Sequence, residues 1–364
     1  MDVVGHVYVN DNTAGGNTVA GFDRHSDLSL TPMPGSPFDV GGAGGGHGNA
    51  SQGSLQLSGD GRYLLAVDAG SNQISVLRIK PDGSLQQAEG SPVDSGGVNP
   101  VSIAVSGKLV YVANQGPGVS PGDANYTGFM LNSGGHLRPI PGSTYALPSD
   151  AVPGEVLFNG DGSRLVGTRI GTSAIDSFTV DTGGQLTAAP GSPFLAKAFT
   201  PPQGFGQLGS VFSPSNPDQL FVSDAHTEAG GPASGLVSSF TDDPHGVLTP
   251  IGASPVGNDG LASCWVEISQ DGKFLFVVNT ASMTVSSYSI APDGSITFLQ
   301  DSTPSTDLGA GAEDARLSPD GSTLWVVQAG ADAVTAFSVS GGTLAKVSQA
   351  AGPAGATPTG IVVT

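Results

Sequence analysis

Glu155 and Arg169 are the residues whose types and placement most readily suggest chemistry. They stand at corresponding ends of two neighbouring strand-like runs in VPGEVLFNGDGSRLVGTRIGTSAIDSFTV, residues 152–180. An Arg beside a Glu can grip a substrate carboxylate while the Glu moves protons. The same two charges can equally form a structural ion pair. Two histidines join them as candidates. His47 lies in the glycine-rich GGAGGGHGNASQG, where the absence of side chains lets backbone approach an imidazole closely. His226, with Glu228, opens the loop SDAHTEAGG. Each histidine also reads as an exposed loop residue. The glycines do not make GxGxxG and no helix follows them, so a phosphate cradle is not expected. There is no HExxH and no EF-hand loop. NDNTAGG lacks the spacing of a recognised cation loop, and neither cofactor nor metal is expected. Cys264 is the one cysteine. It cannot form an internal disulfide or a CxxC site, has no basic partner nearby, and reads as a small buried hydrophobe.

The elements that must position these residues repeat along the chain. The unit is an apolar alternating run, a Ser/Asn-x-Asp-Gly turn, and a second run ending in a polar residue. A polar loop, a third run, another turn and a short fourth run leading into PGSP complete it. Copies lie at 7–38, 54–93, 102–144, 152–194 and 210–256, and two more begin at Trp265 and Asp314. A spacing near 40–50 residues is that of a four-stranded propeller blade. Alternation rich in β-branched and aromatic residues, as in FLFVVN and LWVVQ, supports strands. Asp-Gly between such runs marks hairpins, so Asp60, Asp161, Asp271 and Asp320 read as turn residues. No amphipathic helix is visible. The expectation is an all-β, seven-bladed β-propeller of four-stranded antiparallel blades, a single domain over 1–364. The first copy lacks its innermost strand, and TPTGIVVT at 357–364 is such a strand without a copy after it. The C-terminal strand should therefore close the first blade and remove the open sheet edges.

In such a ring, the loops entering the inner strands and those leaving the second strands share one rim, where ligand sites gather. The first set contributes His47, Asp150, Glu155, Asp259, Glu313 and Asp314. The second contributes Asn10, Asp68, Asn114, Arg169, Asp224, His226, Glu228, Asn279 and Gln328. Arg169 is the cation among them.

Composition limits the partners. Lys+Arg 12 against Asp+Glu 31 gives a net charge of −19. A surface so acidic repels phosphate backbones and anionic lipids, which argues against nucleic-acid and membrane partners and for a soluble monomer acting on a small molecule. Gly 56 and Pro 27 serve the turns of a folded chain, since hydrophobic content is 38%. No apolar run is long enough to span a bilayer. MDVVGHVYVN runs directly into strand-like sequence, which fits a secreted or periplasmic protein whose leader has been removed.

The blade pattern LSPDGSTLWVVQAGADAVTAFSV, with its DGSL and PGSP outer strands, resembles the seven-bladed propeller lactonases. That family includes 6-phosphogluconolactonase-type and carboxymuconate-cyclising enzymes. SQGSLQLSGDGRYLLAVDAGSNQISVLRI and CWVEISQDGKFLFVVNT are similar to a bacterial, often exported branch. The resemblance spans essentially the whole chain. It implies hydrolysis of a small, anionic lactone, or the related cyclisation or isomerisation, at the channel mouth. Active members carry a His opening the third blade's inner strand, Pro-Arg-His opening the next, and Asn-Glu after its second strand. Here the corresponding residues are Pro100-Val101, Pro153-Gly154-Glu155 and Thr168-Arg169. The charges are exchanged, so the resemblance implies Arg169 as the anion-binding group and Glu155, aided by His47 or His226, as the base. The alternative is a non-catalytic exported propeller that binds a small ligand, glycan or partner protein.

Overall fold

The alternating runs become strands, and the strands assemble into seven antiparallel sheets. The structure is a computed structural model of the chain and describes residues 2–48, 50–195, 206–225, 235–301, 311–352 and 357–364. Among these, the only helical element is one 3₁₀ turn, Ala329–Ala331. From blade 1 to blade 7, the innermost strands are Gly360–Val363, Leu55–Leu57, Pro100–Ser106, Pro153–Phe158, Gln207–Phe212, Ser263–Ile268 and Ala312–Leu317. Each touches the next, and the last touches the first, so the ring is closed. The closure joins the two ends of the chain: Val7, Tyr8, Val9 and Asn10 pair with Val363, Val362, Ile361 and Gly360.

The turn chemistry is as the sequence implies. Gly61, Gly162, Gly272 and Gly321 take φ of 69°, 74°, 69° and 68°, a region open to glycine at little cost. The Asp before each accepts hydrogen bonds from its neighbours; Asp60 takes Ser58 Oγ at 2.7 Å and Arg62 N at 3.1 Å. The PGSP stretches and their variants EGSP, PGST and GASP also have a physical role. Ser36, Ser91, Ser143, Ser192 and Ser254 each accept a third-strand N–H, from Gly21, Val76, Gly128, Ser177 and Ser239. The two residues after each of the Pro-containing stretches in blades 1, 2, 4 and 5 then pair briefly with that third strand, as Tyr145–Ala146 does in blade 3.

Between blades, apolar faces pack into clusters such as that of Val7, Val9, Trp325, Val327, Ile361 and Val363. Buried tyrosines fasten one blade to the next through their hydroxyls. Tyr8 donates to Gly83 O at 2.7 Å and Tyr111 to Gly184 O at 2.6 Å.

Candidate functional site

Glu155 and Arg169 do not form an ion pair. They face opposite sides of blade 4. The register sets Glu155 against Thr168 and Arg169 against Pro153, and successive residues of a strand point to opposite faces. Thr168 Oγ1 donates to Leu208 O of blade 5 at 2.6 Å, and Glu155 turns the same way. Its Oε2 accepts both the backbone N–H and, at 2.7 Å, the hydroxyl of Ser210. Arg169 turns toward blade 3. Its Nε donates to Asp176 Oδ2 at 2.6 Å and its Nη2 to Asp176 Oδ1, a two-pronged pair completed by the Tyr126 hydroxyl at 3.0 Å.

That arrangement is the charged form of a device that recurs around the ring. The residue ending the second strand bonds a polar residue of the third: Asp68 with Ser75, Asn114 with Asn125, Asp224 with Ser238, and Asn279 with Ser286. Asn10, Asp68, Asn114, Asp224, Asn279 and Gln328 have no exposure at all, so this set is interior and not on the rim. Arg169 therefore follows the repeat's rule. His47 is exposed, and its Nδ1 meets the Gly48 carbonyl at 3.2 Å. His226 and Glu228 lie outside the described residues.

Glu155 follows a second recurring rule. The inner strand is the free edge of each sheet, and its outward N–H groups need acceptors. Blade n supplies one to blade n+1: Ser102 Oγ takes Val156 N, Glu155 takes Ser210 N, and Asp314 takes the backbone N–H of Ile361. Blade 5 has Gly209 at this register and can offer nothing. Gln52 fills the gap from across the ring. Its Oε1 accepts Val266 N at 2.8 Å, and its Nε2 donates to Ser210 O and Val266 O at 3.1 and 3.2 Å. A Cβ on Gly209 would collide with Gln52 Oε1. The adjoining backbone is tied as well: Gln52 N donates to Gly154 O at 3.1 Å, and Trp265 Nε1 to Ser51 O at 2.6 Å. Ser51–Gln52, from the loop between blades 1 and 2, thus reaches blades 4, 5 and 6 across the axis.

Around this crossing lies a cluster of carboxyls about one cation. Arg316 Nη1 meets Glu267 Oε1 at 2.9 Å, and Glu267 Oε2 accepts Leu317 N at 3.3 Å. Asp314 precedes Arg316 by two residues, on the same side of its strand, and Glu313 approaches Gly48, where a Cβ would sit 3.2 Å from its Oε1. Arg316 Nε and Nη2, Asp314 Oδ2 and Glu313 Oε2 are shielded from solvent and have no hydrogen-bond partner among the described residues. Burial pushes the Asp314 carboxyl up to about 7, with Arg316 pulling it back. Burial also raises Glu155 well above the usual carboxylate range, and the charge of Asp314 adds to it. Glu313 is raised by burial and by Asp314. Asp314 thus holds or releases a proton near neutral pH, as acid–base chemistry needs, while burial favours the protonated form of Glu155 and Glu313.

Sequence reasoning placed Glu155, Glu313 and Asp314 near the channel but missed Glu267, Arg316 and Gln52. A signal existed. At the register two residues beyond Glu155, the inner strands carry Gln56, Ala104, Leu157, Val211 and Val363, so Glu267 and Arg316 are charges at positions that otherwise hold no charge.

Comparison with known proteins agrees with this architecture. The sequence matches the family described as "Lactonase, 7-bladed beta-propeller" over residues 16–118 and 210–363, leaving out the stretch that holds Glu155 and Arg169. No curated protein matches at a significant level. Among solved structures, a candidate 6-phosphogluconolactonase from Bacteroides uniformis aligns with TM-score 0.76 and 17% identity over 100% of both chains. The periplasmic gluconolactonase of Pseudomonas aeruginosa aligns with TM-score 0.74 and 18% identity over 99% of each chain. At such identities these likenesses speak to the fold, whereas the sequence match covers more than half of the chain. The chain belongs to the seven-bladed β-propeller lactonase family.

Proposed function

We propose that the protein is a lactonase-like enzyme acting on a small lactone, and that its working groups are the carboxyl–arginine cluster of the central channel. One observation carries this reading: the Nε and Nη2 donors of Arg316 have no hydrogen-bond partner among the described residues, and they stand beside carboxyls that burial raises above their usual range. A ring-opening hydrolysis needs such a set. Water adds to the ester carbonyl, and the oxygen that gains charge accepts from Arg316. An ionised carboxylate, assigned to Asp314, takes the water's proton. A protonated carboxyl, assigned to Glu155, gives one to the departing alkoxide as the C–O bond breaks. The products are the open hydroxy acid and the enzyme with one proton moved between carboxyls. Arg169 has no part in this scheme because its charge is committed to Asp176.

The test is turnover on a panel of lactones. Asp314→Asn is expected to lower kcat by about 100-fold, as loss of a general base does. In the parent, kcat/KM should rise with pH through about 7, following ionisation of Asp314. No turnover on any lactone would overturn the reading. The seal made by Ser51–Gln52 favours a second reading, a propeller that binds a ligand or partner without converting it. Ligand-induced thermal stabilisation without turnover would select it.

A further inference from the structure

Two successive registers of the inner strands differ in their access to solvent. At the register of Glu155, the described residues Ser54, Ser102, Glu155, Gly209, Trp265 and Asp314 are all buried. Two residues further toward the hairpins that join first and second strands, Gln56, Leu157, Val211 and Arg316 are part-exposed, Arg316 with 26% of its side chain accessible, while Ala104, Glu267 and Val363 are buried. The innermost strands sit between neighbouring blades, so solvent meets these side chains from the channel or its hairpin-side mouth. Ser51–Gln52 crosses the axis at the first register and ties itself to blades 4, 5 and 6. The seal and the accessible register thus lie on opposite sides of the cluster.

Resting on the proposed lactonase site, we propose that its ligand enters from the hairpin side of the ring, through a funnel ending on the Arg316–Glu267 pair, and not from the loop rim. The funnel is two-sided. Gln56, Glu267 and Arg316 of blades 2, 6 and 7 give it a polar wall. Leu157 and Val211 of the neighbouring blades 4 and 5 give it an apolar one. A ring with an acceptor-bearing ester on one edge and hydrocarbon on the other satisfies both walls. A polyhydroxylated sugar lactone would leave hydroxyls unpaired against Leu157 and Val211. The substrate class that fits is therefore a lactone with an apolar flank. Gln52 is a positioning residue: it fills the gap left by Gly209 and closes the floor.

Cysteine labelling tests the direction of entry without any turnover. Cys264 is buried and its thiol is pushed up to about 12, so it gives little background. Gln56→Cys and Val211→Cys are expected to react with a small charged thiol reagent at least about tenfold faster than Ser54→Cys. Leu157→Trp should slow labelling at Gln56→Cys, and Gln52→Gly should speed it at Ser54→Cys. Either funnel cysteine suffices if the other variant fails to fold. Ser54→Cys reacting as fast as the funnel cysteines with Gln52 in place, or no effect of Leu157→Trp, would overturn the proposal. A labelling pattern as expected with no lactone turned over would leave the funnel standing and remove the proposed reaction. If turnover is found, sugar lactones preferred over alkyl-bearing lactones would overturn the assigned substrate class.

Discussion

Arg169 shows how burial decides what a charge can do. Its guanidinium is held on both prongs by Asp176, with the Tyr126 hydroxyl on the same carboxylate. Taking one partner away leaves the other buried and unpaired, which costs about 3–5 kcal/mol. Arg169→Ala is therefore expected to lower thermal stability sharply, whereas Arg169→Met combined with Asp176→Leu should recover most of the loss. Melting curves of the three variants check this, and a double variant no more stable than Arg169→Ala would contradict it. Arg316 is the opposite case, with one nitrogen paired to Glu267 and two nitrogens left without a partner among the described residues. From the sequence alone the two arginines could not be ranked. Arg169 stood out by breaking a repeat of Asn, Asp and Gln, while Asp176, the residue that explains it, looked like any polar residue of a third strand.

At the scale of the element, the inner strand is where the repeat and the site meet. Strand positions, hairpin turns and the closing strand were legible because period-two alternation and Asp-Gly turns report local backbone physics. Which inner-strand side chains face one another was not legible, because that depends on contacts between blades whose residues are far apart in sequence. Gln52 and Gly209 illustrate this, 157 positions apart by number and meaningful only together. Gly209→Ala would put a methyl group in collision with Gln52 Oε1 and 2.6 Å from the Cys264 carbonyl oxygen, displacing the amide and leaving Val266 N unpaired. Overpacking of this kind costs about 1–3 kcal/mol. Gly209→Ala should therefore lower the melting temperature, and combining it with Gln52→Gly should add little further loss. Additive losses would mean that the two residues do not share one site.

The whole molecule makes two wagers, on closure and on buried acid. The strand Gly360–Val363 supplies blade 1 with its inner edge and buries Ile361, Val362 and Val363. Fully burying each such side chain contributes about 1.5–3 kcal/mol. Deleting 359–364 should lower the melting temperature strongly, and an unchanged curve would contradict ring closure. Burial also raises Asp11, Asp224, Asp242 and Asp314 to about 7 and Asp68 to about 6. A carboxyl raised in this way keeps its proton in the folded chain after the unfolded chain has lost it. Its contribution is full below the unfolded value, near 4, and is lost as pH climbs to the folded value. The protein should therefore melt several degrees higher at about pH 5 than at about pH 8, and the reverse order would contradict these shifts.

The most direct measurement is kcat/KM of Arg316→Ala against the parent, on whichever lactone the parent turns over best, with the fold checked by far-UV circular dichroism. Loss of a donor to the developing oxyanion should lower the rate by about 100-fold or more, while the fold is retained. A folded Arg316→Ala variant with parental kcat/KM would contradict the placement of the reaction in the channel cluster.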